Sequence, residues 1–131
     1  MTITPDLRSP VDRAIQELQK QFSDAEVSVR REASGDAVVN IDLVAVGDQY
    51  EPDTTWLGFR ISATYPSADI YPLHVGAVVR RDGTGHGEGI QSVEWDGRPA
   101  LQLSRRSRGW NPRRDTAAIK AEKVLAWFRG L

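Results

Sequence analysis

The hydrophobic period of this chain changes twice, and that constrains its fold more than any other feature. Val11, Ile15, Leu18 and Phe22 recur at spacings of four, three and four, the apolar stripe of an amphipathic helix. Arg13, Gln16, Glu17 and Lys20 take the opposite face. The period then falls to two: Val27 and Val29, then Val39, Ile41 and Leu43, then Leu57, Phe59 and Ile61 alternate with polar neighbours, as half-buried strands do. Near the C-terminus the helical period returns, with Ala118, Ala121, Leu125 and Phe128 on one stripe and Val124 beside it. Helix, strands, helix is an α+β order, with helices packed on an antiparallel sheet.

Local signals set the boundaries. Ser9 caps the first helix, Pro10 suits its first turn and Asp12 complements its positive end. Ser34-Gly35-Asp36 and residues 47–53 supply turns between the strands, and short connections favour antiparallel neighbours. Residues 65–72 form a proline-bounded loop, 75–79 read as a fourth strand, and 81–89 as a polar loop with four glycines. A short apolar piece, 90–95, leads to an Asp96-Gly97 turn, beyond which Leu101 and Leu103 alternate. The last helix is expected from Asp115 or Thr116, closing near Arg129-Gly130. The 131 residues suit a single domain with one core.

Composition removes several function classes. A net charge of −1 argues against a general nucleic-acid binder. The charge is nevertheless segregated: residues 98–114 hold six arginines and no acid, whereas 42–53 hold Asp42, Asp48, Glu51 and Asp53 and no base. No cysteine is present, so neither disulfides nor thiolate zinc sites hold the fold. His74 and His86, with no paired-carboxylate motif nearby, make a poor metal site. The glycines of 83–89 are followed by neither a lysine nor a helix pattern, so they do not read as a phosphate loop. No Gly-x-Ser-x-Gly turn occurs. No apolar run approaches the roughly 18 residues of a membrane helix. The segment Met1-Thr2-Ile3-Thr4-Pro5-Asp6 has no secretion-signal pattern, and a cytoplasmic protein without cofactor is expected.

A set of motifs, taken in order, resembles the ubiquitin-conjugating enzymes. Residues 59–66 (Phe-Arg-Ile-Ser-Ala-Thr-Tyr-Pro), followed by Pro72, look like the family's third strand and its Tyr-Pro loop. Gly97, Ala100 and Leu101 sit where the family has glycine, two variable residues, cysteine and leucine. Trp110-Asn111-Pro112 resembles the Trp-Ser-Pro before the family's next helix, which would be 115–129 here. The likeness spans residues 9–130. It implies that fold: an N-terminal helix, an antiparallel meander of about four strands, an active-site segment and a C-terminal helix. The family's His-Pro-Asn tripeptide is absent, leaving His86, Gln91 and Ser92 as the available donors.

The resemblance implies a carrier in a bacterial ubiquitin-like modification pathway. Such a transferase accepts a ubiquitin-like protein as a thioester from an adenylating activating enzyme and passes it to a target amine. Divergent relatives of this kind accompany such partners in operons, some acting in antiphage defence. Ala100 then marks the nucleophile position and His86 a supporting donor. A methyl group cannot carry a thioester, so under the resemblance the chain as written is a carrier whose cysteine was replaced or a naturally non-catalytic binding module of the same fold; without it, Ala100 is simply a small residue on a strand-like segment of an unrelated α+β domain. Cysteine packs as a small hydrophobe, so alanine preserves the fold at such a position. Arg98, Arg105, Arg106, Arg108 and Trp110 would flank the active-site groove and meet an acidic partner surface. Arg13 and Lys20 lie on the helix face that in the family meets the activating enzyme. No metal, nucleic acid or membrane partner is expected.

Overall fold

The computed structural model describes residues 9–131; the Met1–Asp6 stretch discussed above lies outside them. Helix α1 (Pro10–Gln21) starts at Ser9, whose hydroxyl accepts from the Asp12 N–H, and it buries Val11, Ala14 and Leu18. Strands follow as β1 (Glu26–Arg31), β2 (Ala37–Ala45), β3 (Tyr50–Glu51), β4 (Thr54–Ile61), β5 (Leu73–Gly76), β6 (Val79–Arg80), β7 (Ile90–Trp95) and β8 (Arg98–Leu103). Helix α2 (Ala117–Arg129) closes the order, capped by the Thr116 hydroxyl. The molecule is α+β, as the change of period requires. No helix among the described residues is long and apolar enough to cross a membrane.

The main sheet is antiparallel and larger than the meander of about four strands expected from the alternation. It has six strands in the order β1-β2-β4-β5-β8-β7. The apolar piece and the Leu101/Leu103 alternation, expected as an irregular active-site segment, are a β-hairpin. Asp96 and Gly97 form its two-residue turn, both at positive φ (51° and 81°), the conformation that matches the twist of paired strands. β8 lies between β5 and β7, which places the hairpin inside the sheet. The expected 75–79 strand divides: Val78 N–H turns back onto the Gly76 carbonyl at 2.7 Å, and Val79 pairs with Glu51 in a separate two-stranded sheet.

Antiparallel partners share a face, so one row can be followed across all six strands. Val29, Val39, Phe59, Leu73, Leu103 and Ile90 form a core row. α1 and α2 cover this face, and Leu18, Leu125 and Phe128 join the strand residues in one buried cluster. The adjacent row runs Ser28, Asn40, Gly58, His74, Gln102 and Gln91 on the outer face. The β2 alternation fails at its end. Leu43 was expected inward but is 60% exposed, because a bulge between Asp42 and Val44 shifts the register and turns Val44 into the core instead.

Candidate functional site

Ala100 lies on the outer face of β8, opposite Gly76 on β5 and Val93 on β7. It is 1% exposed. Beyond it the hairpin tip leaves the plane of the sheet and arches back across the outer face. Arg98 donates to the Asn40 side chain on β2 and stacks over Trp56 on β4, 3.6 Å from the ring centroid. Asp96 reaches Arg30 on β1, the opposite edge strand. Trp95 lies on His74, with ring centroids 4.6 Å apart and planes within 14°, and beside Trp56 at 5.9 Å. A Cβ at Gly58 would collide with the Trp95 ring. Gly58 thus leaves room for the Trp95 ring, and at Gly76 a Cβ would collide with Thr55 and crowd Trp56 instead.

His74 is buried beneath this tip, and its Nδ1 has no hydrogen-bond partner. Burial lowers its pKa, against the opposing effect of the Gln102 side chain. Trp56, Trp95 and His74 carried no functional pattern in the sequence. The alternation of β4, β5 and β7 puts them on one face, but only the folded-over tip brings them into contact.

His86 is seated elsewhere. Its Nε2 pairs with the Val78 carbonyl at 2.8 Å, and its ring lies 6.0 Å from Tyr50 and 6.4 Å from Phe128. These contacts hold the glycine-rich loop against the C-terminal end of α2. None of them involves Ala100 or a neighbour of Ala100 in the sheet. Gln91 and Ser92, the other available donors, are on β7, paired with Gln102 and Leu101.

The arginine segment forms the second feature. Residues 104–116 leave β8, run over α2 and enclose with it a cleft of about 650 Å³. Arg105, Arg106, Arg108 and Trp110, named together from the sequence, all line it, with Arg114, Lys123 and Trp127. Arg98 does not, since it belongs to the outer-face tip. Arg13 and Lys20 lie on the exposed side of α1 and do not line the cleft either.

A buried polar cluster fixes the cleft floor. Lys120 is 4% exposed, and its Nζ donates to the Arg105 carbonyl (2.8 Å), Ser107 Oγ (2.8 Å) and Asp69 Oδ2 (3.2 Å). Asp69 also accepts from the Ser107 N–H and hydroxyl. Burial lowers the Lys120 pKa while Asp69 opposes the shift, which is the behaviour of a structural ion pair. Trp110 anchors the far end: its Nε1–H donates to the Pro66 carbonyl at 2.7 Å. The Tyr65 hydroxyl accepts from Ala117 N–H at the start of α2. The Tyr-Pro loop therefore holds both the arginine segment and the helix that bound the cleft.

Most cleft cations lack acidic partners. Arg30, Arg31, Arg60, Arg80 and Arg81 each pair with a carboxylate. Arg105, Arg106, Arg108, Arg114 and Lys123 have no ion-pair partner among the described residues. No cluster of three or more potential metal-ligating side chains occurs among them either. No family model, curated protein or solved structure matches the chain.

Proposed function

We propose that this chain is a non-catalytic binding module of the ubiquitin-conjugating-enzyme-like kind. It holds a ubiquitin-like protein, or another component of a conjugation pathway, without carrying it covalently. The observation that carries this reading is the closure of residue 100: a methyl group, 1% exposed, between Gly76 and Val93 in a continuous sheet. A carrier needs a thiolate that both an activating enzyme and an attacking amine can reach. At 1% exposure a side chain at 100 offers neither of them a path in the closed sheet. Binding, by contrast, has an open surface ready in the cationic cleft, where charge complementarity speeds encounter and selects the partner.

The test pairs wild type with Ala100→Cys in the presence of an activating enzyme and its ubiquitin-like protein. Both proteins are expected to bind the ubiquitin-like protein or an operon partner equally, with no reductant-sensitive adduct on the variant. An adduct on Ala100→Cys would instead establish the carrier role.

A further inference from the structure

We propose that the cleft along α2 docks a short, extended acidic segment of a partner protein that carries one apolar side chain. This deepens the binding-module reading and rests on it. The chain holds 18 acidic against 17 basic residues, so the unpaired cations of the cleft do not reflect a shortage of carboxylates. They reflect placement. The two carboxylates beside the cleft are already engaged, Asp69 by Lys120 and Ser107 and Asp115 by the Asn111 N–H at 2.7 Å. Among the described residues no carboxylate pairs with these cations, which leaves the surface open to an anion from another molecule.

Two of the arginines are held in place before any ligand arrives. The Arg105 guanidinium lies 4.9 Å from the Trp127 ring centroid, and that of Arg106 lies 4.3 Å from Tyr71. A guanidinium stacked on a ring keeps its N–H edge free for a carboxylate and loses less freedom when it binds one. Lys120 pins the Arg105 carbonyl and Ser107 from below, which fixes the backbone that carries these groups.

The apolar part of the lining argues for a peptide over a bare polyanion. Ile119 is 42% exposed, one of four large hydrophobic residues so exposed among the described residues, and it lines the cleft with Val124 and Trp127. Within a cleft lined by cations, Ile119 and the edge of Trp127 give an apolar side chain of a ligand a place to lie. From Lys120 to Trp127 the helix rises about 10 Å, the span of about three extended residues. Two carboxylates flanking one branched or aromatic side chain fit that length.

Titration of the full chain, followed by calorimetry, compares three probes: the acetylated and amidated peptide Glu-Asp-Leu-Glu-Asp, its Gln-Asn-Leu-Gln-Asn counterpart, and inorganic triphosphate. The acidic peptide is expected to bind roughly tenfold or more tightly than the neutral one, with an affinity that falls as salt rises. Arg108→Glu and Lys123→Glu should each weaken it by about tenfold, since each turns an attraction into a repulsion. Arg113→Glu, on the same loop but outside the lining, should leave it unchanged. Replacing the peptide's leucine by serine should also weaken it.

No binding of the acidic peptide, or equal binding of triphosphate with no effect of the leucine, overturns the proposal. If a ubiquitin-like protein binds and the cleft reversals leave that binding intact, this inference fails and the binding-module reading stands. If the peptide binds as described but no conjugation component does, the cleft assignment stands and the broader reading fails.

Discussion

The Asp96 carboxylate, at the tip of the β7–β8 hairpin, accepts two hydrogen bonds from Arg30 on the opposite edge strand, at 3.0 and 3.3 Å. The two residues are 66 positions apart in sequence, and their contact ties the tip down across the sheet. The Arg30 hydrogen bond holds the Asp96 pKa below its ordinary value of 3.8. The folded state therefore binds this proton less readily than the unfolded chain does. Its contribution is present at neutral pH and is lost as pH falls below 3.8 through the lower folded value. Because the pair is largely exposed, global stability should change little in Asp96→Asn. Amide exchange across residues 95–98 should rise in that variant at pH 7; unchanged exchange would mean the tip is held without Asp96.

Gly58 tests the packing beneath the tip. A methyl group there meets the Trp95 ring and the edge of Trp56. Gly58→Ala should destabilise the protein by about 1–3 kcal/mol, the usual cost of overpacking, measured by urea unfolding. An increase in stability would show that Trp95 does not rest on Gly58.

His74 makes the outer face acid-sensitive. Its folded pKa lies below the ordinary histidine value of 6.5 because of burial, so the unfolded chain takes up the proton first. Stability is retained above 6.5 and declines as pH falls from there through the lower folded value. Trp95→Ala uncovers the ring and should move the His74 pKa back up, read by NMR titration of the imidazole. A downward or absent shift would remove Trp95 as a cause of that burial.

Lys120→Met should leave Asp69 with only Ser107 as partner and loosen the arginine segment. Breaking a buried pair costs about 3–5 kcal/mol, and the 20% exposure of the Asp69 side chain puts this one near the lower end. Thermal unfolding reads the loss. A variant as stable as wild type would mean that water replaces the pair without cost.

The sequence was legible where one residue type permits few conformations. Ser9-Pro10, Thr116 and the two helical stripes mark α1 and α2, and the three alternating runs mark β1, β2 and β4. Asp96-Gly97 marks a turn. The hairpin around it was harder to read as part of the sheet, because β8 finds its neighbour β5 across a long intervening segment that no local pattern encodes. Leu43 misled for a related reason: a bulge shifts the register without altering composition. The cleft was half visible. Arg105, Arg106, Arg108 and Trp110 stand together in sequence, whereas Lys123 and Trp127 join them only because α2 packs beside that loop. Arg98 belongs to the same run of charge, yet the sheet carries it to the other face.

Thiol labelling of Ala100→Cys tests the central claim most directly, because the chain has no other cysteine. In the native protein the thiol should resist a small maleimide and react only as fast as the hairpin or the whole fold opens, with full labelling in urea. A native protein that labels as fast as the unfolded chain would place residue 100 at an open surface and contradict the account.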